Sequence, residues 1–525
     1  MNSATFQKVA GRAAFAVLLS GGPAAAQICI DIERVDFSGL TLIDEAALQS
    51  EIAPTLGCLG LEGLNDILET VTLAYIDAGY VAARAFLPEQ DLSDGVLDIA
   101  VIEGQVSDVV VLQNGTPVKG RQITAFPGLA GEPLRLPQLE QGLAQINRLG
   151  SSDAVSELSP GDAPGDTVVT VNVAQDKQWS GTIALDNRGT SVTGKFNFGL
   201  TLGYENLLGL NDSWLFSLQR SMESSPLSFG VSSPVGNAYS LSGSIPFGFW
   251  TFGGSISASD YVIDILGLTT PIEASGENLT IQLSAERLLS ISESGRWDAG
   301  VTLRWNDNEN LILGTVIDTA SRRLSVLDAY VRRSQAAFGG QLDAVVTLRQ
   351  GLDIFDAFDD DTAPPGSPKA QYTALLIEAS YRRNWDIGGQ SVFLSSRFSG
   401  QYSGDSLFGS EQFSSGGFSS VRGSRDSLLF GNSGVQLINT ISLPNAVELG
   451  ENVFLTPYVG FDFGHAFGET EFGIDDETLI SYAVGTTLTG PNFSIDALYG
   501  RIIDGPDPAE FSKSGLFTIQ ARWSF

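Results

Sequence analysis

His465 is the only histidine in the chain, so a histidine-based acyl-transfer triad has a single possible base, and a zinc site of several histidines is excluded. No Gly-x-Ser-x-Gly elbow is present to raise a serine nucleophile. Residues 189–195, GTSVTGK, carry the glycine and lysine spacing of a phosphate-cradling loop, but Phe196 stands where a Ser or Thr would ligate magnesium. That loop also needs a helix N-terminus, whereas an alternating, strand-like run follows, so it reads as a hairpin connection. Asp359, Asp360 and Asp361 could collect calcium, yet the spacing of a calcium loop is missing and a solvated acidic tip is expected. Chemistry of the enzymatic kind therefore has no residues to carry it, and no cofactor or metal is expected.

One cluster of a different type stands out. Val421-Arg422-Gly423 lies within the Gly- and Ser-rich run Phe413 to Gly434, between two alternating apolar/polar segments, and so reads as a long loop joining strands. A guanidinium can grip a carboxylate through a forked, charge-assisted bond. The plain alternative is a solvated loop with an incidental Arg, although loops this long are uncommon in compact β regions without a function. What surrounds the loop decides between these.

Across 525 residues there are 59 Gly, and 61 acidic residues face 29 basic ones, for a net charge of -32. Phosphate binding needs a basic footprint, so nucleic acid is disfavoured as a partner. Only 17% of residues are charged and the mean hydropathy is +0.09, which points to a surface not wholly in water. After the N-terminal tens of residues no window has the 18 or so apolar residues of a spanning helix. A closed β-barrel is then the remaining way to cross a membrane.

Lys8 and Arg12 precede the apolar run Ala13 to Leu19, and Ala24-Ala25-Ala26 offers a small-residue cleavage site, so an export signal over 1–26 and a mature start at Gln27 are expected. Cys29 and Cys58 then enter an oxidising compartment, where an even count favours a disulfide. Such a bridge stabilises by roughly 3 kcal/mol. A metal site is the weaker alternative, with no histidine beside the pair, and the lead-in to Cys29 is not that of a lipidated cysteine.

From Cys29 to Gly104 the pattern is mixed. Ile28, Ile30 and Ile32 alternate and run on to Val35 and Phe37 as one strand; Leu64, Ile67, Leu68, Val71 and Tyr75 recur at helical spacing up to Gly79; Ala83–Leu87 and Val96–Ile102 are further strands. A fainter copy runs from Gln105 to Gln175: Val109–Leu112, Arg121–Phe126, Leu139–Leu149, Ser151–Leu158 and Val168–Val173. Two tandem α+β modules, 27–104 and 105–176, are expected.

Ala74-Tyr75-Ile76-Asp77-Ala78-Gly79-Tyr80-Val81, then Arg84-Ala85-Phe86-Leu87-Pro88-Glu89-Gln90 and Val101-Ile102-Glu103-Gly104, resemble the first polypeptide-transport-associated (POTRA) module of two-partner secretion transporters, the TpsB family of haemolysin secretion/activation type. The paired cysteines fit the same resemblance. Asp186-Asn187-Arg188-Gly189, Thr193-Gly194, Asn206-Leu207-Leu208-Gly209 with Asp212, and Ile245-Pro246-Phe247-Gly248 before Trp250 resemble the first barrel strands and turns of those proteins.

From 177 to 525 the chain alternates almost continuously. Phe196, Phe198, Leu200, Leu202 and Tyr204 face one way, and Phe517, Ile519, Ala521, Trp523 and Phe525 repeat the design at the end. Strands of about ten residues, apolar outside and polar inside, are what an outer-membrane barrel requires, and about sixteen can be counted. The fold class expected is two periplasmic α+β POTRA modules followed by a 16-stranded antiparallel transmembrane β-barrel. Terminal Phe525 resembles the signal by which bacterial barrels are recognised for assembly.

Strands counted back from Phe525 put 413–434 on the side of the long connections, as the sixth outer loop. The resemblance implies that this loop folds into the lumen and that its Val421-Arg422-Gly423 tip meets the inner wall. In 453–464 the odd positions are apolar, so Asp462 faces the lumen; Gly460-Phe461-Asp462-Phe463-Gly464 resembles the family's wall motif. Arg422 is expected to pair with Asp462 and to anchor a loop that governs the channel. Ser424 departs from the aromatic common there in the family. Some members also have an N-terminal plug helix; here only Gln27 and Ile28 precede Cys29, so either the plug is absent or cleavage falls elsewhere.

The resemblance implies export of an unfolded partner, a large secreted exoprotein such as an adhesin or haemolysin, without nucleotide hydrolysis. Outer-membrane lipid and the barrel assembly machinery are the other expected partners. An outer-membrane assembly or insertion factor is the alternative.

Overall fold

The computed structural model describes residues 29–222, 235–265, 272–292, 294–362, 366–470, 473–474, 476–506 and 515–525. The export signal expected over 1–26, its cleavage site and the space for a plug helix lie outside them. The chain divides into two compact units, one ending at Gly104 and one beginning at Gln105.

In the first unit β1 (Ile30–Ile32) pairs antiparallel with β3 (Gly57–Leu59), while β2 (Arg34–Ser38) runs parallel to β5 (Val96–Ile102), whose other edge takes β4 (Arg84–Phe86). The single strand expected over 28–37 is thus two, each with its own partner. The break falls at Glu33, whose N–H leaves the ladder for Gly95 O. Strand β3 has no alternating signal because it is only three residues long. Cys29 and Cys58 are joined as a disulfide at the open end of this short pair.

Two helices cover the sheet. The side chain of Asp44 caps α1 (Glu45–Ile52) by accepting from the Ala46 N–H. Helix α2 (Leu61–Asp77) buries Leu64, Ile67, Val71 and Tyr75 at three- and four-residue steps, one stripe of its surface. It ends where Gly79 takes φ +89° and the N–H groups of Gly79 and Tyr80 return to Ile76 O and Tyr75 O, satisfying the last carbonyls. Tyr75, Ile67 and Val71 meet Ile32, Leu97 and Ile99 in the core. At the sheet's end the Glu103 carboxylate accepts from the N–H of Thr41 and Leu42, the Thr41 hydroxyl and the Tyr75 hydroxyl.

The second unit opens with a sheet of order β7 (Thr116–Pro117), β6 (Gln105–Gln113), β9 (Asp166–Gln175), β8 (Ser152–Pro160), with β6 parallel to β9. Helices α3 (Lys119–Ala125) and α4 (Leu136–Asn147) complete it. It is docked on the barrel mostly through backbone. Gly248 O accepts from Gln141 and Gln145, Asn211 reaches Arg121 O, and Glu205 receives the N–H groups of Gly150 and Ser151.

The barrel closes antiparallel through sixteen long strands, with two short pieces in its connections. The first strand, Trp179–Asp186, meets the last, Leu516–Ser524, over five residue pairs from Thr182↔Ser524 to Asp186↔Gln520. Phe525 extends that seam: its N–H and C=O exchange hydrogen bonds with Gly181 and its ring packs edge-on against Trp179. The parity expected for the thirteenth strand, Val453–Phe467, appears as Val459 and Phe461 52% and 54% exposed on the outer face and Asp462 0% exposed within.

Candidate functional site

Between the eleventh barrel strand, Gln390–Ser403, and the twelfth, Ser433–Ser442, the long loop expected over 413–434 contains two short strands of its own. Residues 413–416 and 427–431 pair as an inward hairpin, Phe413 opposite Gly431 and Ser415 opposite Leu429, and Ser433 and Gly434 already belong to the next strand. Glycine and serine build its tip. Gly416 and Gly417 take φ +108° and +90°, which side chains with a Cβ rarely adopt. Ser420 Oγ accepts from the Gly416 N–H, and Ser424 Oγ accepts from the Gly417 N–H while donating to Asp426 O. The serine at 424 therefore braces the turn by hydrogen bonding. Phe413, Val421 and Leu429 bury themselves against Ala466 and Leu479 of the wall.

The hairpin carries Arg422 to Asp462. Nε donates to Oδ2 at 2.7 Å and Nη2 to Oδ1 at 2.6 Å, a forked pair, and the Arg422 backbone N–H adds a third bond to Oδ2 at 3.1 Å. The rest of the guanidinium is used too: Nη1 donates to Thr440 Oγ1 and Nη2 to Asn439 O, both on the twelfth strand. The Arg422 side chain is 10% exposed. Removing one partner of so buried a pair strands the other charge without water, at a cost of about 3–5 kcal/mol.

Glycines make the room. A Cβ at Gly464 would lie 2.5 Å from Ser415 Oγ and 3.1 Å from Val421 Cγ2, and one at Gly460 would fall on the guanidinium itself. A Cβ at Gly500 would lie 3.0 Å from the Gly423 backbone nitrogen, and one at Gly423 would lie 2.9 Å from the Ile502 nitrogen and 3.0 Å from the Arg501 carbonyl carbon, so the tip and the fifteenth strand meet backbone to backbone. Thr440, the Asn439 carbonyl, Ser481, which donates to Asp462, and Gly500 have no motif of their own. Parity alone could have placed Gly500 on the lumen face, opposite Ala483 of the fourteenth strand, Glu477–Thr489.

A second set of contacts ties the tip to the connection between the first two strands. Arg425 Nη1 donates to Asn187 O at 2.6 Å, Asp426 accepts from the N–H and hydroxyl of Ser191, and Arg188 lies 3.6 Å over the Phe418 ring. Arg188 is itself paired with Asp496 and donates to Gln520. GTSVTGK is thus part of a connection followed by a strand, closed by Gly189 N–H to Lys195 O. The His465 ring hydrogen-bonds with Thr478 Oγ1 and stacks on the Phe467 ring. The acidic tip expected at 359–361 is not simply solvated: the Asp360 carboxylate accepts from the N–H groups of Ala370 and Gln371, just before the next strand. Among the described residues no group of three His, Cys, Asp or Glu could hold a metal ion.

A membrane barrel with periplasmic α+β modules and a charged hairpin folded into its lumen defines an outer-membrane transporter. The chain belongs to the family of haemolysin secretion/activation proteins ShlB/FhaC/HecB, whose model matches residues 165–488, with a ShlB-type POTRA domain over 30–104 and a POTRA domain over 106–160. It is 31% identical to the outer membrane transporter CdiB of Dickeya dadantii over 91% of this chain and 84% of that protein. To the hemolysin transporter protein ShlB of Serratia marcescens it is 27% identical over 84% and 76%. The solved structure of CdiB from Escherichia coli superposes with a TM-score of 0.82 at 27% identity, covering 97% of this chain and 93% of that one. The protein is a two-partner secretion transporter of the outer membrane, with its POTRA modules in the periplasm.

Proposed function

We propose that this chain captures one large exoprotein, unfolded, in the periplasm and passes it through the barrel without nucleotide hydrolysis, with the Arg422–Asp462 pair holding the loop that governs passage. The relatives named as hemolysin transporters support a secreted, haemolysin- or adhesin-like partner. In this reading residues 27–104 and 105–176 are the capturing modules and 177–525 the conduit. The Cys29–Cys58 bridge holds the first module, and Phe525 addresses the barrel to lipid and the assembly machinery. Strand addition to a module edge suits capture, because main-chain bonds accept many sequences. The insertion-factor alternative is weaker, since the relatives are named as transporters.

The observation that carries the proposal is the forked bond between a loop side chain and a fully buried wall carboxylate. Its test is co-expression with any large secreted protein that the neighbouring genes encode. Arg422→Ala is expected to reach the outer membrane folded and to secrete nothing; normal secretion by that variant overturns the proposal.

A further inference from the structure

The loop is held at a second place, far from its tip. Glu411 lies eleven residues before Arg422, in the stretch that leads from the eleventh strand into the hairpin, and its side chain is only 2% exposed. Its Oε2 accepts from Arg304 Nη2 at 2.6 Å and from the Tyr372 hydroxyl, with Arg349 Nη1 3.7 Å away. Arg349 is itself fixed by two bonds to Asp328. Arg304 belongs to the seventh strand, Gly295–Ile312, Asp328 to the eighth, Arg322–Ala337, Arg349 to the ninth, Gly340–Leu352, and Tyr372 directly precedes the tenth, Thr373–Ile387. One loop carboxylate thus gathers donors from strands seven to ten, a stretch of wall separate from strands twelve and thirteen that take Arg422.

Neighbouring contacts fix the same stretch. Gln401 Nε2 donates to Glu411 O, the Leu407 N–H donates to Asn432 Oδ1, and Leu407 is buried against Tyr372 and Ala374. Phe408 packs with Leu324, Ala370 and Phe358. The root is therefore a small packed unit, while the hairpin beyond Phe413 meets the wall of strands twelve to fifteen.

We infer that Glu411 is a positioning residue that pins the loop's root, so that breaking the Arg422–Asp462 pair swings the hairpin about this point and does not withdraw the whole loop. The inference rests on the reading that the loop governs passage. It separates two motions: the tip's, which Arg422 controls, and the root's, which Glu411 controls.

Leu407→Cys tests it in the full chain in intact cells, with a membrane-impermeant maleimide; the native cysteines are joined and do not react. In the Leu407→Cys background, adding Arg422→Ala is expected to leave the labelling rate low. Adding Glu411→Gln is expected to raise it by about tenfold or more, as for loss of a charge-assisted bond. Should Glu411→Gln fail to give the heat-modifiable folded barrel, Tyr372→Phe decides, with an expected rise of about threefold or more for one lost donor. A rate for Arg422→Ala that reaches half that of the root variant overturns the inference, as does a root variant that falls short of its expected rise. Normal secretion by Arg422→Ala would instead overturn the gating reading, and leaves the labelling comparison standing.

Discussion

Gly460→Ala adds one methyl group to the barrel wall and changes no charge, yet it should release the loop tip. The new Cβ would sit 2.6 Å from Arg422 Cζ and nearer still to Nη2. Carbon atoms in contact stand about 3.5–4.0 Å apart, so the guanidinium must retreat by about 1 Å. Gly460 is held in the ladder on both sides, by Thr440 and by Ala483, and the strand cannot yield without breaking those rows. A retreat of that size by the whole guanidinium stretches the 2.6 Å and 2.7 Å bonds from Nη2 and Nε to Asp462, and the 2.8 Å bond from Nη2 to Asn439, beyond hydrogen-bond range. Asp462 then keeps only the Arg422 backbone N–H and the long bond from Ser481. With the general cost of about 3–5 kcal/mol for breaking a buried pair, the undocked population should rise by about two to three and a half powers of ten. Val421→Cys reports it, since this side chain is fully buried when the tip is docked. In purified folded barrels, maleimide labelling of Val421→Cys/Gly460→Ala should outpace that of Val421→Cys alone by about a hundredfold, the lower end of that range. Equal rates, with heat-modifiable migration intact, would refute the claim that the glycine exists to admit the guanidinium.

Two further outcomes concern the first module. Cys58→Ser opens a loop of 29 residues' separation and should lower that module's stability by about 3.5 kcal/mol on the chain-entropy relation. Limited proteolysis of the full chain across a urea series would show it as earlier cleavage between residues 29 and 104. Burial by itself would raise the Glu103 carboxyl, but the bonds from Thr41, Tyr75 and Leu42 outweigh it and hold the group below its ordinary value. A depressed folded value contributes stability above the unfolded value, near 4.3, which is lost as pH falls through the lower folded one. Glu103→Gln should therefore cost about 1 kcal/mol at neutral pH and flatten the acid limb of the same proteolysis profile; an unchanged acid limb would show that these bonds do not favour the ionised form.

Fold was legible wherever a period persisted. Sixteen strands with an apolar outer face keep a two-residue rhythm for eight residues or more, long enough to outvote glycine and serine. Helix α2 likewise keeps a stripe through Leu64, Ile67, Val71 and Tyr75. What failed to show was short or interrupted. Strand β3 spans three residues, and β1 and β2 continue one alternation across a break that only the pairing partners reveal. The hairpin at 413–431 has strands of four and five residues in glycine and serine, so its pairing is set by what it packs against in the lumen rather than by any propensity of its own.

The site divides along the same line. Arg422 and Asp462 could be joined from sequence because parity put a carboxylate on the lumen face and a resemblance put the loop beside it. Neither could have been joined by spacing, since forty residues separate them. The remaining determinants are of a kind that sequence does not advertise. Asn439 takes part through its carbonyl, which every residue possesses. Gly460, Gly464 and Gly500 take part by having no side chain, and a barrel rich in glycine offers many equivalent candidates. Glu411 carries no motif, and it matters only because Arg304, Arg349 and Tyr372, from three other segments, converge on it. A charged side chain announces that it needs a partner; a space left for it becomes visible only when the charge is seen to fill it.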